Sequence, residues 1–195
     1  MQPHKAVPAP EYDFTPKLET KHTPEQISNL SPDGSFEGYA SLFGMVDMGQ
    51  DQVMPGAFRD SLLKRGPGGI KMLWQHQAAQ PIGSWQSIVE DARGLKVKGR
   101  LNLAVARARE ILALMREGAL DGLSIGFKTE KSVKDKASGV RRLTKLDLWE
   151  ISVVTFPMLP EARISAVKRA AANPESPLPS GNLAAKIRHA AALLR

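Results

Sequence analysis

Residues 121–127 read Asp-Gly-Leu-Ser-Ile-Gly-Phe, and the way this stretch folds decides the class of the whole chain. Gly122, Ser124 and Gly126 spell G-x-S-x-G, the nucleophile elbow of α/β-hydrolases, in which a sharp strand-to-helix turn exposes a reactive serine. The residues after the serine, IGFKTEKSVKDKASG, carry no apolar helical stripe and read as a strand entering a hairpin turn. The elbow fold also orders its triad as serine, acid, histidine. The histidine downstream of Ser124 is His189, beyond a Pro/Ala/Asn-rich linker. The stretch is therefore a strand rather than an elbow. Alternation puts Leu123, Ile125 and Phe127 on one face, and Ser124 between Gly122 and Gly126 on the other. Two readings of Ser124 stay open: a small polar residue on a strand's polar face, or a nucleophile on a surface that the glycines clear for a substrate backbone.

Outward from this strand, the pattern is mostly β. FEGYASLF at 36–43 reads as a strand, and MGQDQVMPG as a loop with Asp47 and Asp51 as turn formers. PGAFRDSLLKRG fits a short helix, with Pro55 at its start, Phe58 and Leu62 one turn apart, and Gly66 past its end. IKMLWQH reads as a strand with Met72, Trp74 and His76 on one face, and PIGSWQSIVE as another. GLKVKGRLNL is the cleanest strand: Leu95, Val97, Leu101 and Leu103 alternate with Lys96, Lys98, Arg100 and Asn102. Helical period then takes over, with Val105, Ala108, Ile111, Leu112 and Met115 on one face and Gly118 as the stop. VRRLTKLDLWEISVVTF reads as a long strand or strand pair. Asn182 caps a last helix carrying Leu183, Ile187, Ala190 and Leu194 on one side. Regular β-α-β alternation is missing, so the class is α+β.

The 195 residues suit one domain with flanking segments: a proline-punctuated lead-in at 1–34, a globular unit at 35–169, and a linker with a short basic helix at 170–195. The chain has no cysteine, so thiolate catalysis, disulfides and Cys-ligated zinc are excluded. No apolar run is long enough to span a membrane, and the N-terminus lacks the apolar core of a secretory signal. The net charge of +7 raises nucleic acid as a partner, but Lys168, Arg169, Lys186, Arg188 and Arg195 stand against one acid, Glu175, in the last segment. The excess reads as a solvated basic tail, and no basic face interleaved with aromatics supports nucleic-acid binding.

A serine needs a base to be nucleophilic, and the base an orienting carboxylate. His4, His22 and His189 lie in the flanking segments, which leaves His76; its bland reading is a structural histidine at a strand end. Glu150, in the apolar run LDLWEISVV, needs a partner: an imidazole N–H, or an arginine such as Arg141 or Arg142. Asp147 is the rival carboxylate. The order is thus His76, Ser124, Glu150, and spacing alone does not fix the geometry.

Several separated stretches, in this order, resemble the prohead (capsid maturation) proteases of tailed bacteriophages, the HK97-type family. They are FEGYASLFGMVDMGQDQVMPGAF, LWQH with PIGSW, GLKVKGRLNL, GALDGLSIGF and LWEISVVTFPMLPEARI, covering about two-thirds of the chain from Phe36 to Lys168. That family is similar in fold and active-site order to the herpesvirus assemblin proteases. The resemblance implies a closed antiparallel β-barrel flanked by helices. It implies a serine endopeptidase with His76 as base, Ser124 as nucleophile and Glu150 as the third member, working without cofactor or metal. Its substrates would be the major capsid protein's scaffold segment and the chain itself, inside the immature capsid in the bacterial cytoplasm; a homodimer is compatible with this. The proline-rich lead-in and the linker at Ala170 to Pro179 are then candidate self-cleavage regions, and the basic helix a candidate packaging element. Two positions depart from the family. Gln77 stands where an acidic residue commonly comes after the histidine, which favours the alternative of an inactive assembly or scaffold protein on the same fold. Around Pro157 to Arg163, Arg163 alone answers to the assemblins' arginine pair, which leaves the oxyanion hole unassigned.

Overall fold

The computed structural model describes Ser31 and residues 33–166. The linker, the basic helix and most of the lead-in lie outside the described residues. Among the described residues, eight strands and two helices run in the order β1 (Ser35–Leu42), β2 (Asp51–Val53), α1 (Arg59–Gly69), β3 (Lys71–Trp74), β4 (Gln77–Glu90), β5 (Gly94–Leu101), α2 (Ala106–Arg116), β6 (Gly122–Lys134), β7 (Arg141–Val154) and β8 (Ile164–Ala166). The architecture is α+β and strand-dominated. One sheet runs β2-β7-β3-β4-β5-β1-β8, with β6 on the other edge of β7. It curls into a half-barrel rather than the closed barrel expected. Between β6 and β8 the ladder is reduced to a single bridge, Gly122 to Arg163.

The clearest sequence patterns form the inner wall. Leu95, Val97 and Leu101 of β5 are buried, as are Ala108, Ile111, Leu112 and Met115 of α2. They pack with Phe36, Phe58, Met72, Trp85 and Leu148 in one core. Such burial is worth roughly 1.5–3 kcal/mol for each large side chain.

Strand β7 is the hub. β6 pairs along most of one edge. On the other, β2 takes Arg141 to Leu143 and β3 takes Glu150 to Val153, both in parallel. Helix α1 and its lead-in fill the gap between β2 and β3. Leu146 donates its N–H to the carbonyl of Ala57 at 2.9 Å. Leu148 donates to the buried hydroxyl of Ser61 at 2.8 Å. One turn on, Arg65 grips Asp147 through Nε at 3.0 Å and Nη2 at 2.8 Å, and lies 4.1 Å from the centre of the Trp149 ring. The helix expected to end at Gly66 does break there (φ 60°), and a further turn continues to Gly69.

Under this helix, β7 carries a bulge. Gly126 pairs with Glu150 and Phe127 with Leu148, so Trp149 has no partner on β6. The extra residue reverses the alternation. Leu146 and Leu148 point into the core before it, and Ile151 and Val153 after it. Glu150 and Ser152 therefore face outward.

Ser61→Ala tests the contact that holds helix to bulge. It leaves the buried Leu148 N–H unpaired and should cost about 1–3 kcal/mol of stability. A denaturant titration measures this; an unchanged midpoint would show that the Ser61 contact is dispensable.

Candidate active site

The strand expected to carry His76 stops two residues short of it. Trp74 pairs with Gln77, and the connecting Gln75 and His76 both have positive φ, 49° and 58°. That is the backbone of a two-residue type I′ hairpin turn, which ordinarily recruits Asn-Gly because side chains strain it. Had the strand continued, His76 would share the inner face of Met72 and Trp74. The turn lifts it to the outer face instead.

Four contacts strap this turn to β7 and to Thr155 just past its end. Gln75 donates its N–H to the carbonyl of Val153 at 3.1 Å, and its side-chain Nε2 donates to Thr155 Oγ1 at 2.8 Å. The N–H of His76 donates to Ser152 Oγ at 3.0 Å. His76 Nδ1 meets Glu150 Oε1 at 2.6 Å. Strain of this kind, of order 1–3 kcal/mol per residue, persists where surrounding contacts over-determine it.

Glu150 is thus engaged through both oxygens, since Oε2 accepts from Ser152 Oγ at 2.7 Å. Its carboxylate is mostly buried, while the imidazole keeps 43% of its surface exposed. The arginines proposed as its alternative partners are taken elsewhere: Arg141 by Asp51 and Arg142 by Asp135. The rival carboxylate, Asp147, belongs to Arg65, whose guanidinium holds it below the usual carboxylate range. Gln77 accepts from Gln80 rather than supporting His76. Arg163 binds Asp121 and the carbonyl of Pro160, pinning the start of β6.

Ser124 lies on β6 directly opposite Ser152, and Gly126 directly opposite Glu150. Paired residues of an antiparallel ladder share a face, so Ser124 stands on the same outward face as Glu150 and Ser152. Among the described residues its hydroxyl makes no hydrogen bond, to His76 or to any other group. The glycines do not clear space for substrate, as the sequence suggested. A Cβ on Gly126 would clash with Glu150 Oε1 and lie 2.6 Å from its Cδ; one on Gly122 would lie 2.9 Å from Pro157. Gly126 lets the carboxylate lie across β6 towards His76, and Gly122 lets the segment after β7 pack down.

Beside Ser124 opens a cavity of about 200 Å³, lined in part by Leu123, Ile125, Phe127, Met158 and Asp47. Burial raises the Asp47 carboxyl above its ordinary value, against the N–H groups of Asp51 and Gly49 that it accepts. No three His, Cys, Asp or Glu side chains among the described residues group to hold a metal. Ser152 is the contact that sequence reasoning missed; its one signal was a hydroxyl two residues after Glu150 in an otherwise apolar run.

A hydroxyl, an imidazole and a carboxylate on one face, with the last two bonded, form the residue set that serine hydrolases use. Residues 21–177 match the caudovirus prohead serine protease family, and the chain belongs to that family. It is 36% identical over 137 residues to the prohead protease of Enterobacteria phage HK97, covering 69% of this chain and 60% of that protein's length. Among solved structures, the capsid assembly protease gp21 of bacteriophage T4 superimposes with a TM-score of 0.50 at 12% identity, over 62% of this chain and 80% of that one. The KSHV protease bound to a hexapeptide phosphonate inhibitor gives 0.47 at 10% identity, over 67% and 63%.

Gly126→Ala should leave the fold intact and displace the carboxylate from His76. If the pair works as base and orienting carboxylate, a misplacement of about 1 Å costs on the order of 10²-fold in rate. The downfield imidazole N–H signal in proton NMR reports the bond; its persistence in the variant would refute this role for Gly126.

Proposed function

We propose that the chain is a serine endopeptidase that cleaves capsid and scaffold proteins, and itself, during maturation of a phage prohead. The observation that carries this reading is the His76–Glu150 pair standing on one face with Ser124 in a member of the prohead serine protease family. In the reaction, Ser124 gives its proton to His76 Nε2 as its oxygen attacks the scissile carbonyl. Glu150 accepts from Nδ1–H, which fixes the tautomer that leaves Nε2 basic and steadies the imidazolium once it forms. His76 then protonates the departing amine as the C–N bond breaks, leaving an ester on Ser124. Water, deprotonated by the same imidazole, attacks that ester, and the imidazolium returns the proton to Ser124 Oγ as the C–Oγ bond breaks and the acid product leaves. The recess beside Ser124 is the candidate receptacle for a substrate side chain.

The protease unit in this reading spans residues 35–169, and the lead-in at 1–34 and the linker at Ala170 to Pro179 are where self-cleavage is expected. The substrate is the scaffold segment of a major capsid protein. The enzyme works inside the immature shell, in the cytoplasm of the bacterial host.

Coexpression with the capsid protein, with mass spectrometry of the products, tests the reading. Ser124→Ala should abolish processing, since loss of a triad nucleophile costs roughly 10⁶-fold in rate. The same change removes no apolar volume and should cost on the order of 1 kcal/mol of stability or less. Equal cleavage by wild type and a folded Ser124→Ala variant would end the serine-protease reading. The inactive assembly protein would then stand.

A further inference from the structure

Ser152 is fully buried, yet it is polar and lies in the apolar run that closes β7. A buried hydroxyl is costly unless its bonds are satisfied. Both of its neighbours are parts of the site. A carboxylate only accepts, so the bond to Glu150 Oε2 takes the Ser152 proton. A backbone N–H only donates, so the His76 N–H uses a lone pair of the same oxygen. One hydroxyl therefore spans the two partners of the His76–Glu150 bond, from the side opposite to that bond. The three contacts form a closed ring: His76 N–H to Ser152, Ser152 to Glu150 Oε2, Glu150 Oε1 to His76 Nδ1.

The ring matters because neither member is held well without it. The glutamate side chain has a freely turning carboxylate end, and the imidazole is nearly half exposed. The turn that carries His76 has positive φ at two residues that are not glycine. Ser152 anchors the backbone of that turn and the far oxygen of the carboxylate to one point on β7. It also stands directly across the ladder from Ser124, so the same point sets the distance from the imidazole to the serine on the neighbouring strand. Its engagement on the Nδ1 side leaves it no route to Nε2, which separates it from Ser124 as a nucleophile.

We propose that Ser152 is a positioning residue of the peptidase site, whose hydroxyl orients the Glu150 carboxylate and seats the His76 turn so that Nε2 is delivered to Ser124. The inference rests on the serine-protease reading.

The test uses a fluorophosphonate probe, which reacts at an activated serine and needs no known substrate, on the full chain. Wild type, Ser124→Ala, Ser152→Ala, Ser152→Thr and Ser152→Val are compared by labelling rate against probe concentration, with folding checked by circular dichroism. Thr and Val share their shape, so their difference isolates the hydroxyl. Ser152→Ala and Ser152→Val should lose roughly 10- to 100-fold in the maximal labelling rate, the scale of a misplaced catalytic group, with the half-saturating probe concentration unchanged. Ser152→Thr should recover most of the rate. Folded Ala and Val variants that label like wild type would overturn the positioning role alone. So would an Ala variant that fails to fold, since Ser152 would then be a structural residue. Wild type that does not label at Ser124 would instead strike the peptidase reading, and the positioning role with it.

Discussion

The half-step that Trp149 adds to β7 is the constraint on which the site depends. Side chains alternate along a strand, so one extra residue exchanges the two faces beyond it. Without it, the pattern set by Leu146 and Leu148 would turn Glu150 and Ser152 into the core and Ile151 and Val153 out to solvent. An unpaired carboxylate in that core would be far costlier than the local disruption of the ladder. The bulge is in turn held from above. Ser61 satisfies the backbone of Leu148, and Arg65 binds Asp147 while covering the Trp149 ring. Helix α1 touches none of His76, Ser124 or Glu150 through these contacts, yet it fixes the face on which Glu150 emerges.

A second device works from the opposite edge of β7. The Gln75–His76 turn adopts a backbone that its residues disfavour, and contacts from Ser152, Val153, Thr155 and Glu150 hold it there. Bulge and turn meet at the same few residues. Gly126 completes the arrangement, because only a residue without a side chain lets the Glu150 carboxylate cross β6. The site is thus rigid on its histidine–carboxylate side and open at the serine, whose hydroxyl is left without a partner among the described residues.

Much of the scaffold was legible in the sequence because its signals are periodic. The alternation in β5 and the helical stripe of α2 describe faces that the structure buries at Leu95, Val97, Leu101, Ala108, Ile111, Leu112 and Met115, while Leu103 and Val105 lie partly buried just outside the two elements. The nomination of His76, Ser124 and Glu150 was legible through elimination of the flanking histidines and through the family resemblance. What was not legible is how they face one another. In LDLWEISVV apolar residues stand on both sides of the glutamate, so no period reveals where the alternation changes phase. Gln-His carries none of the Asn-Gly signal of a type I′ turn, so the alternation reads on through His76 and points to the inner face, where the structure has the outer one. The choice between Asp147 and Glu150 as partner of His76 depended on Arg65, more than eighty residues away, and no local pattern encodes that pairing. The closed barrel failed for a similar reason: whether two distant edges form a full ladder is a matter of a few backbone bonds.

That seam gives the molecule an uneven distribution of local stability. β7 beyond the bulge is stitched on both edges, by β6 and by β3, whereas the first residues of β6 are held on their outer side by one bridge and the Asp121–Arg163 pair. Opening free energies within one fold range from near zero to the global value, according to such differences. The amide hydrogen of Leu123, bonded across the seam to the carbonyl of Ala162, should therefore exchange with solvent well before those at 151 and 153. Ser124 lies beside that sparsely bonded seam, and His76 and Glu150 on the doubly stitched side, so the fold holds the two halves of the candidate site with unequal firmness.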